Sequence, residues 1–71
     1  MDKERLSFAV YMVNELAEAW GILPSQAYRR LQRAGYFENY LIPHYDVLHT
    51  LGTRYLIDDA QTYLARREAA Q

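Results

Sequence analysis

The chain contains no cysteine, only two prolines and three glycines among its 71 residues, and a net charge of only −1. Without cysteine, neither a disulfide bond nor a thiolate ligand can support the fold. A chain of this length buries only about 60% of the surface that its unfolded form exposes. The remaining supports are regular helix packing and burial against a partner. The composition therefore favours a chain that associates with a copy of itself or with another protein.

Long apolar runs and a strong charge of either sign are also missing. The apolar run nearest the N-terminus is residues 8–13, which is too short to cross a membrane and is followed by no small-residue cleavage site. Because the net charge is close to zero, the whole molecule has no electrostatic attraction to nucleic acid or to an anionic membrane. We expect a cytoplasmic protein with no membrane segment.

Apolar residues make up 51% of the chain, and seven of its residues are tyrosine. Charges of both signs are interspersed, as in globular rather than disordered proteins. A tyrosine side chain combines a large apolar ring with a polar tip, which suits the edge of a core and a protein interface equally well. Both locations remain open for the seven tyrosines.

The first two predicted helices are the clearest. Residues 3–20 have the 3.6-residue apolar period of an amphipathic helix that ends at Gly21. A second helix begins at Pro24 and ends before Gly35. Phe8 and Met12 lie outside the apolar face of the first helix, so they are either covered by a later segment or exposed for docking. That face, which we expect to be core, comprises Leu6, Ala9, Val10, Val13, Leu16, Ala17 and Trp20.

The second half of the chain predicts shorter elements. A helical turn near residues 37–41 is expected to break at Ile42, because a residue before proline favours extended backbone. A short helix should then run from Pro43 to about residue 50 and stop at Gly52. The last helix starts either at Thr53 or, as we favour, near Asp58 with a capping pair. Residues 1–71 are thus predicted to be one all-α domain, a compact bundle of four to five helices.

Three arginines lie on the second helix with no acidic residue between positions 21 and 37. Arg29, Arg30 and Arg33 share one side of the helix, opposite its apolar side. They could contact phosphate, contact an acidic patch on a protein partner, or pair with acids of the same chain. The segment resembles the second half of a helix-turn-helix, so contact with phosphate would mean DNA binding.

The segment LIPHYDVLHTLG, residues 41–52, concentrates side chains that could carry chemistry. A metal site needs at least three convergent ligands, but His44 and His49 are about 140° apart around a helix. Asp46 and His49 are one turn apart, yet no nucleophile or third ligand accompanies them. We therefore predict no catalytic residue, no metal and no cofactor. His49 should be tethered to backbone or to Asp46, forming a structural latch between Pro43 and Gly52.

The chain contains an S-x-A-Y-x-x-L-x-x-x-G segment followed by L-I-P-x-Y-D-x-L-H-T-x-G-x-x-Y-[IL]-[IV]-x-D. Through these two segments it resembles a family of very short bacterial and phage-associated proteins of unknown function. The resemblance implies a gene neighbour similar to an ADP-ribosyltransferase, in an arrangement like a toxin with its antitoxin or accessory protein. The matching positions are Ser25, Ala27, Tyr28, Leu31, Gly35, Leu41, Ile42, Pro43, Tyr45, Asp46, Leu48, His49, Thr50, Gly52, Tyr55, Leu56, Ile57 and Asp59.

The leading functional hypothesis is a non-enzymatic module that binds a partner protein through large anchor side chains. One alternative is DNA binding through Arg29, Arg30 and Arg33, although the net charge makes nucleic acid an unfavoured partner. Another is a self-associating structural protein, a homo-oligomer with Phe8 and Met12 at its seam. The side chains expected to bind a partner protein are Phe8, Met12, Arg33, Tyr36, Tyr40 and Tyr45.

Overall fold

A computed structural model of the protein describes residues 1–69, and within this range the chain is helical with no strand. These residues form five helices in a compact fold of 29 × 24 × 21 Å. The predicted all-α bundle of four to five helices is therefore confirmed for them. Ala70 and Gln71, which the predicted domain also includes, lie outside the described residues. The elements are α1 (Lys3–Trp20), α2 (Pro24–Arg33), a π-helical turn (Phe37–Leu41), α3 (Tyr45–Leu48) and α4 (Thr53–Ala69).

Helix α1 has the predicted bounds, and both of its ends are capped by local chemistry. The side chain of Asp2 accepts a hydrogen bond from the Arg5 backbone N–H at 2.9 Å, which lowers the pKa of the Asp2 carboxyl. At the other end, Gly21 adopts the left-handed conformation with φ +67°, and the next N–H bonds to the Ala17 carbonyl. Asp2 and Gly21 therefore define the length of the helix.

Helix α1 packs against α2 and α4, and the core lies between these three helices and the π-helical turn. Residues spaced one turn apart on each helix meet there, and leucine predominates. The largest fully buried side chains are Tyr36, Met12, Leu16, Leu31, Leu41, Leu56 and Leu64.

The predicted core face of α1 is partly wrong. Met12 is fully buried, and Phe8 packs edge-on against Tyr45 of α3 with ring centroids 5.6 Å apart. The stripe of Phe8 and Met12 is therefore covered by later segments of the chain. By contrast, Leu6 and Val10 are 53% and 52% exposed. Periodicity identifies an apolar sector but not which neighbours cover it, and here α3 and α4 cover the Phe8 and Met12 side instead.

The predicted break does occur, since residues 42–44 form a turn between Leu41 and Tyr45, but the extended backbone expected at Ile42 is wrong. Ile42 has φ −67° and ψ −50°, and its N–H bonds to the Phe37 carbonyl. Pro43 has no N–H, so the next donor is His44, which bonds to the carbonyl of Tyr40 at 3.1 Å. The hydrogen-bond ladder passes over the proline without leaving a donor unpaired.

Helix α4 begins at Thr53, five residues before the favoured start at Asp58. The carbonyl of Gly52 accepts from the Leu56 N–H, and the Thr53 hydroxyl hydrogen-bonds to Tyr11 of α1. Burial of Leu56 in the core therefore outweighs the local capping signal at Asp58. Gly52 opens α4 rather than stopping the preceding helix, since α3 already ends at Leu48.

The corrected core face of α1 predicts unequal effects of two alanine substitutions. Met12→Ala should lower the free energy of unfolding by about 2–5 kcal/mol, because it leaves a cavity in a fully packed core. Leu6→Ala, the control on the same helix, should cost less than about 1 kcal/mol because Leu6 is half exposed. Urea unfolding followed by circular dichroism measures both. Equal losses would contradict the placement of α1.

Candidate interaction surface

An open apolar groove of about 530 Å³ runs between α1, α2 and the π-helical turn. Large apolar side chains of all three elements line it, and several of them are substantially exposed. An exposed apolar concavity of this size is typical of a binding site. The large apolar side chains that define it are Leu6, Val10 and Val13 of α1, Tyr28 of α2, and Phe37 and Ile42 of the turn and its C-terminal end.

The α2 side of the groove is built by one aromatic pair. Tyr28 stacks on Phe37 with ring centroids 5.6 Å apart and an interplanar angle of 28°. Ala27 and Leu31, on the apolar side of α2, are fully buried, whereas Tyr28 is 45% exposed. The pair therefore forms a wall of the groove rather than part of the core.

A cluster of tyrosines lies between the π-helical turn and α4. The Tyr40 hydroxyl donates to the Asp59 carboxylate at 2.6 Å, and the Tyr40 ring stacks on Tyr63 at 5.1 Å. Desolvation, together with the bond to Asp59, raises the pKa of Tyr40 to about 12. Tyr36 is fully buried, and burial raises the pKa of its hydroxyl further. Among the described residues this hydroxyl has no hydrogen-bond partner.

Two of the six residues predicted to bind a partner protein are core residues. Met12 and Tyr36 are fully buried, so that prediction is wrong for them in the folded chain. Phe8 and Tyr40 are partly buried and pack on the core. All four are large side chains, which suit a core as well as an interface.

The other two predicted contact residues retain accessible surface. Tyr45 is partly buried, with His49 stacked on its ring at 4.4 Å and the Arg5 guanidinium 4.8 Å from its centroid. Arg33 is exposed on α2. Neither residue lines the groove, whose α1 wall consists of side chains that the periodicity of the sequence assigns to the core.

The three arginines of α2 do not act as one group. Arg30 makes a bidentate contact with Glu68 of α4 at 2.9 and 3.0 Å, and its guanidinium lies 4.5 Å from the Trp20 ring centroid. The Arg30 contact lowers the pKa of Glu68. For Arg30, pairing with an acid of the same chain is therefore confirmed. Arg29 and Arg33 are exposed, and a DNA-binding role for them stays a prediction.

The predicted latch between Asp46 and His49 is wrong. The His49 ring donates from Nδ1 to the backbone carbonyl of Tyr45 at 2.7 Å, so the tether is to backbone. The Asp46 carboxylate instead lies 3.7 Å from the guanidinium of Arg5 on α1. No cluster of three or more potential metal ligands occurs within residues 1–69. No helix in this part of the chain has the length and apolar character needed to cross a bilayer.

One sequence signal could have located the groove. Apolar residues occupy more than one face of α1, and the chain supplies few elements to cover them. The surplus had to remain open on one side, although the sequence did not show which side.

A family model described as "Protein of unknown function (DUF3791)" matches residues 7–67 of the chain. Comparison of the chain with curated proteins and with solved structures found no significant match. The matched residues include part or all of every element from α1 to α4, and all but two of the residues that line the groove, Met1 and Leu6.

Removing single hydroxyls from the tyrosine cluster should have opposite effects. Tyr36→Phe should leave the free energy of unfolding unchanged or raise it by up to about 1 kcal/mol, because the buried hydroxyl lacks a partner. Tyr40→Phe should lower it by about 1 kcal/mol, because Asp59 loses a donor. Chemical denaturation near pH 7 measures both. A loss for Tyr36→Phe equal to that for Tyr40→Phe would show that the Tyr36 hydroxyl is hydrogen-bonded.

The same cluster makes stability sensitive to alkaline pH. A tyrosine in the unfolded chain ionises near pH 10, whereas the folded pKa of Tyr40 is about 12 and that of Tyr36 is also raised. The unfolded state therefore loses protons first, so the stabilisation present below about pH 10 is lost as the pH rises towards 12. Urea unfolding at several pH values measures this slope. The Tyr36→Phe/Tyr40→Phe double variant should show a shallower slope, and an unchanged slope would contradict the assignment.

Proposed function

The chain belongs to the DUF3791 family of proteins of unknown function, and we propose that it is a non-enzymatic, cytoplasmic module that binds a partner protein through the apolar groove. The observation that carries the proposal is the exposure of Leu6, Val10 and Tyr28 along one continuous concavity. Because a domain this small has little apolar surface to spare, apolar residues outside its core favour burial against another protein. Aromatic and branched side chains at the centre of a groove supply most of the energy in such contacts.

We propose an ADP-ribosyltransferase-like toxin as the partner and an antitoxin or accessory role for this chain. This part of the proposal is supported by the sequence resemblance described above. Binding would inhibit the toxin by covering its active site or by holding it in an inactive conformation. The groove would receive one apolar segment of the toxin, and no chemical step by this chain is required.

The two alternatives are less well supported. DNA binding would draw on Arg29, Arg30 and Arg33, but Arg30 is engaged by Glu68 and Trp20. A structural homo-oligomer with its seam at Phe8 and Met12 is inconsistent with the burial of Met12. If copies of the chain associate, the groove is the surface through which they would do so.

A charge placed in the groove should abolish binding without unfolding the chain. Val10→Glu should weaken binding to the co-expressed ADP-ribosyltransferase-like gene neighbour by about 100-fold, because an unpaired carboxylate would be buried at the contact. Val47→Glu makes the same change at a residue that is 63% exposed and lies outside the groove. Co-purification followed by titration calorimetry measures both, and circular dichroism checks the fold.

The proposal requires the two variants to differ. Retention of the partner by Val47→Glu and its loss from Val10→Glu would support the groove as the binding surface. Equal retention by both variants would place the contact elsewhere on the chain. A wild-type chain that does not co-purify with the neighbour would exclude that partner.

A further inference from the structure

We propose that the groove accepts an amphipathic helix of the partner whose polar flank is acidic. This inference rests on the proposed function, because it specifies which segment of a partner protein the groove would bind. Its basis is an apolar groove, open along the length of two helical turns, with a basic edge on one side. These two features define the shape and the charge of the occupant separately.

The shape of the groove suits a helix. Leu6, Val10 and Val13 are spaced i, i+4 and i+7 on α1, so this wall is about 10 Å long. The opposite wall contains the stacked rings of Tyr28 and Phe37. A helix that presents apolar residues at i, i+3 or i+4, and i+7 would match this length with three anchor side chains.

The charge of the groove edge comes from α2. Gln32 lines the groove. Arg29 and Arg33 lie next to Gln32 on the side away from the groove, one turn apart and exposed. Glu68 pairs with Arg30, so one of the three positive charges of α2 is compensated and two remain. Within residues 1–69 no ion pair involves Arg29 or Arg33. An acidic flank lying along this edge would therefore meet two available guanidinium groups.

The groove also favours an orientation of the acidic flank. The π-helical turn forms one end of the groove, and its residue Glu38 is the one acidic residue among the described residues that line the groove. Acidic residues of the partner are therefore expected along α2 and away from this end. The partner's helix would meet attraction on one side and repulsion at one end, which fixes its register.

Other occupants fit less well. A nucleic acid would place phosphates and sugars against a mainly apolar lining that, within residues 1–69, contains no positively charged side chain. A second copy would need to supply an exposed apolar helix face with acidic flanks. Outside the groove, the exposed large apolar residues within residues 1–69 form no stripe on one helix, because they lie on four different segments: Tyr11, Ile22 with Leu23, Val47 and Tyr55.

The test uses three synthetic labelled peptides of about 18 residues, long enough to form a helix. The acidic peptide has a leucine stripe flanked by glutamate, the basic peptide has the same stripe flanked by lysine, and the third has serine in place of leucine with glutamate flanks. Fluorescence anisotropy at low salt measures the binding of each to the full chain. The variant is Arg29→Gln/Arg33→Gln, and its control is Arg54→Gln/Arg66→Gln on α4, which removes the same charge from a helix that does not line the groove.

The acidic peptide should bind about tenfold more tightly than the basic peptide, and the serine peptide should not bind. The Arg29→Gln/Arg33→Gln variant should lose most of this preference, whereas the control should keep it. Equal binding of the two leucine peptides would overturn the acidic flank while leaving the groove as a binding surface. Absence of binding by all three would overturn the helix inference, and the Val10→Glu experiment decides the proposed function independently.

Two further measurements separate the other occupants. The inference would be overturned in favour of nucleic acid by three results together. Duplex DNA would bind the wild-type chain, would not bind the Arg29→Gln/Arg33→Gln variant, and would not be displaced by the acidic peptide. A wild-type chain that sediments as a dimer, with Val10→Glu as a monomer, would overturn it in favour of a second copy. A monomer that binds the acidic peptide and not DNA would support it.

Discussion

The structure depends on the excess of apolar surface on α1 over what the rest of a short chain can cover. This helix carries apolar side chains on most of its circumference, and α2, α3 and α4 cover Met12 and Leu16 completely but leave Leu6 and Val10 half exposed. Helices α2 and α4 pack against α1, so the side of α1 that they cover determines both the core and the groove. A longer chain could cover the remainder with another helix. In a chain without cysteine, regular helix packing must stabilise the fold although part of the apolar surface of α1 remains exposed to solvent.

The contacts of α4 with α2 decide which positive charges the surface presents. Arg67 donates to the Ala34 carbonyl at 3.2 Å, where α2 ends, and Glu68 pairs with Arg30. A cation at a helix C-terminus meets the negative end of the helix dipole, so the Arg67 contact stabilises the last turn of α2, and the ion pair between Glu68 and Arg30 joins the same turn to α4. Since Arg30 is used in this way, the basic side of α2 is divided into an arginine that stabilises the fold and two that face solvent. The charge pattern of the sequence is the same for all three and does not reveal this division.

Local signals predicted the elements better than their packing. Gly21, Pro24 and Gly35 marked the ends of α1 and α2, because backbone conformations that need glycine or proline are determined within a few residues. The start of α4 was misplaced because burial of Leu56, which depends on the distant helix α1, outweighed a capping pair at Asp58. The groove could not be predicted for the same reason. Leu6, Val10 and Tyr28 lie on the apolar sides of their helices, and only the packing of the whole chain shows that they are exposed. No local rule indicated that the backbone at Ile42 would remain helical before a proline.

The π-helical turn has a consequence for how this chain can vary. The side chains of this turn and of its immediate neighbours divide between the interior and the groove: Tyr36 and Leu41 are buried in the core, whereas Phe37 and Ile42 line the groove. The bond from the Ile42 N–H to the Phe37 carbonyl spans five residues, and π-helical turns of this kind recur at functional sites. A π-helical turn holds one residue more than an α-helical turn, so loss of one residue here would close the turn to ordinary spacing and remove a position from it. Because this turn supplies both core and groove side chains, its length is constrained by stability and by recognition together.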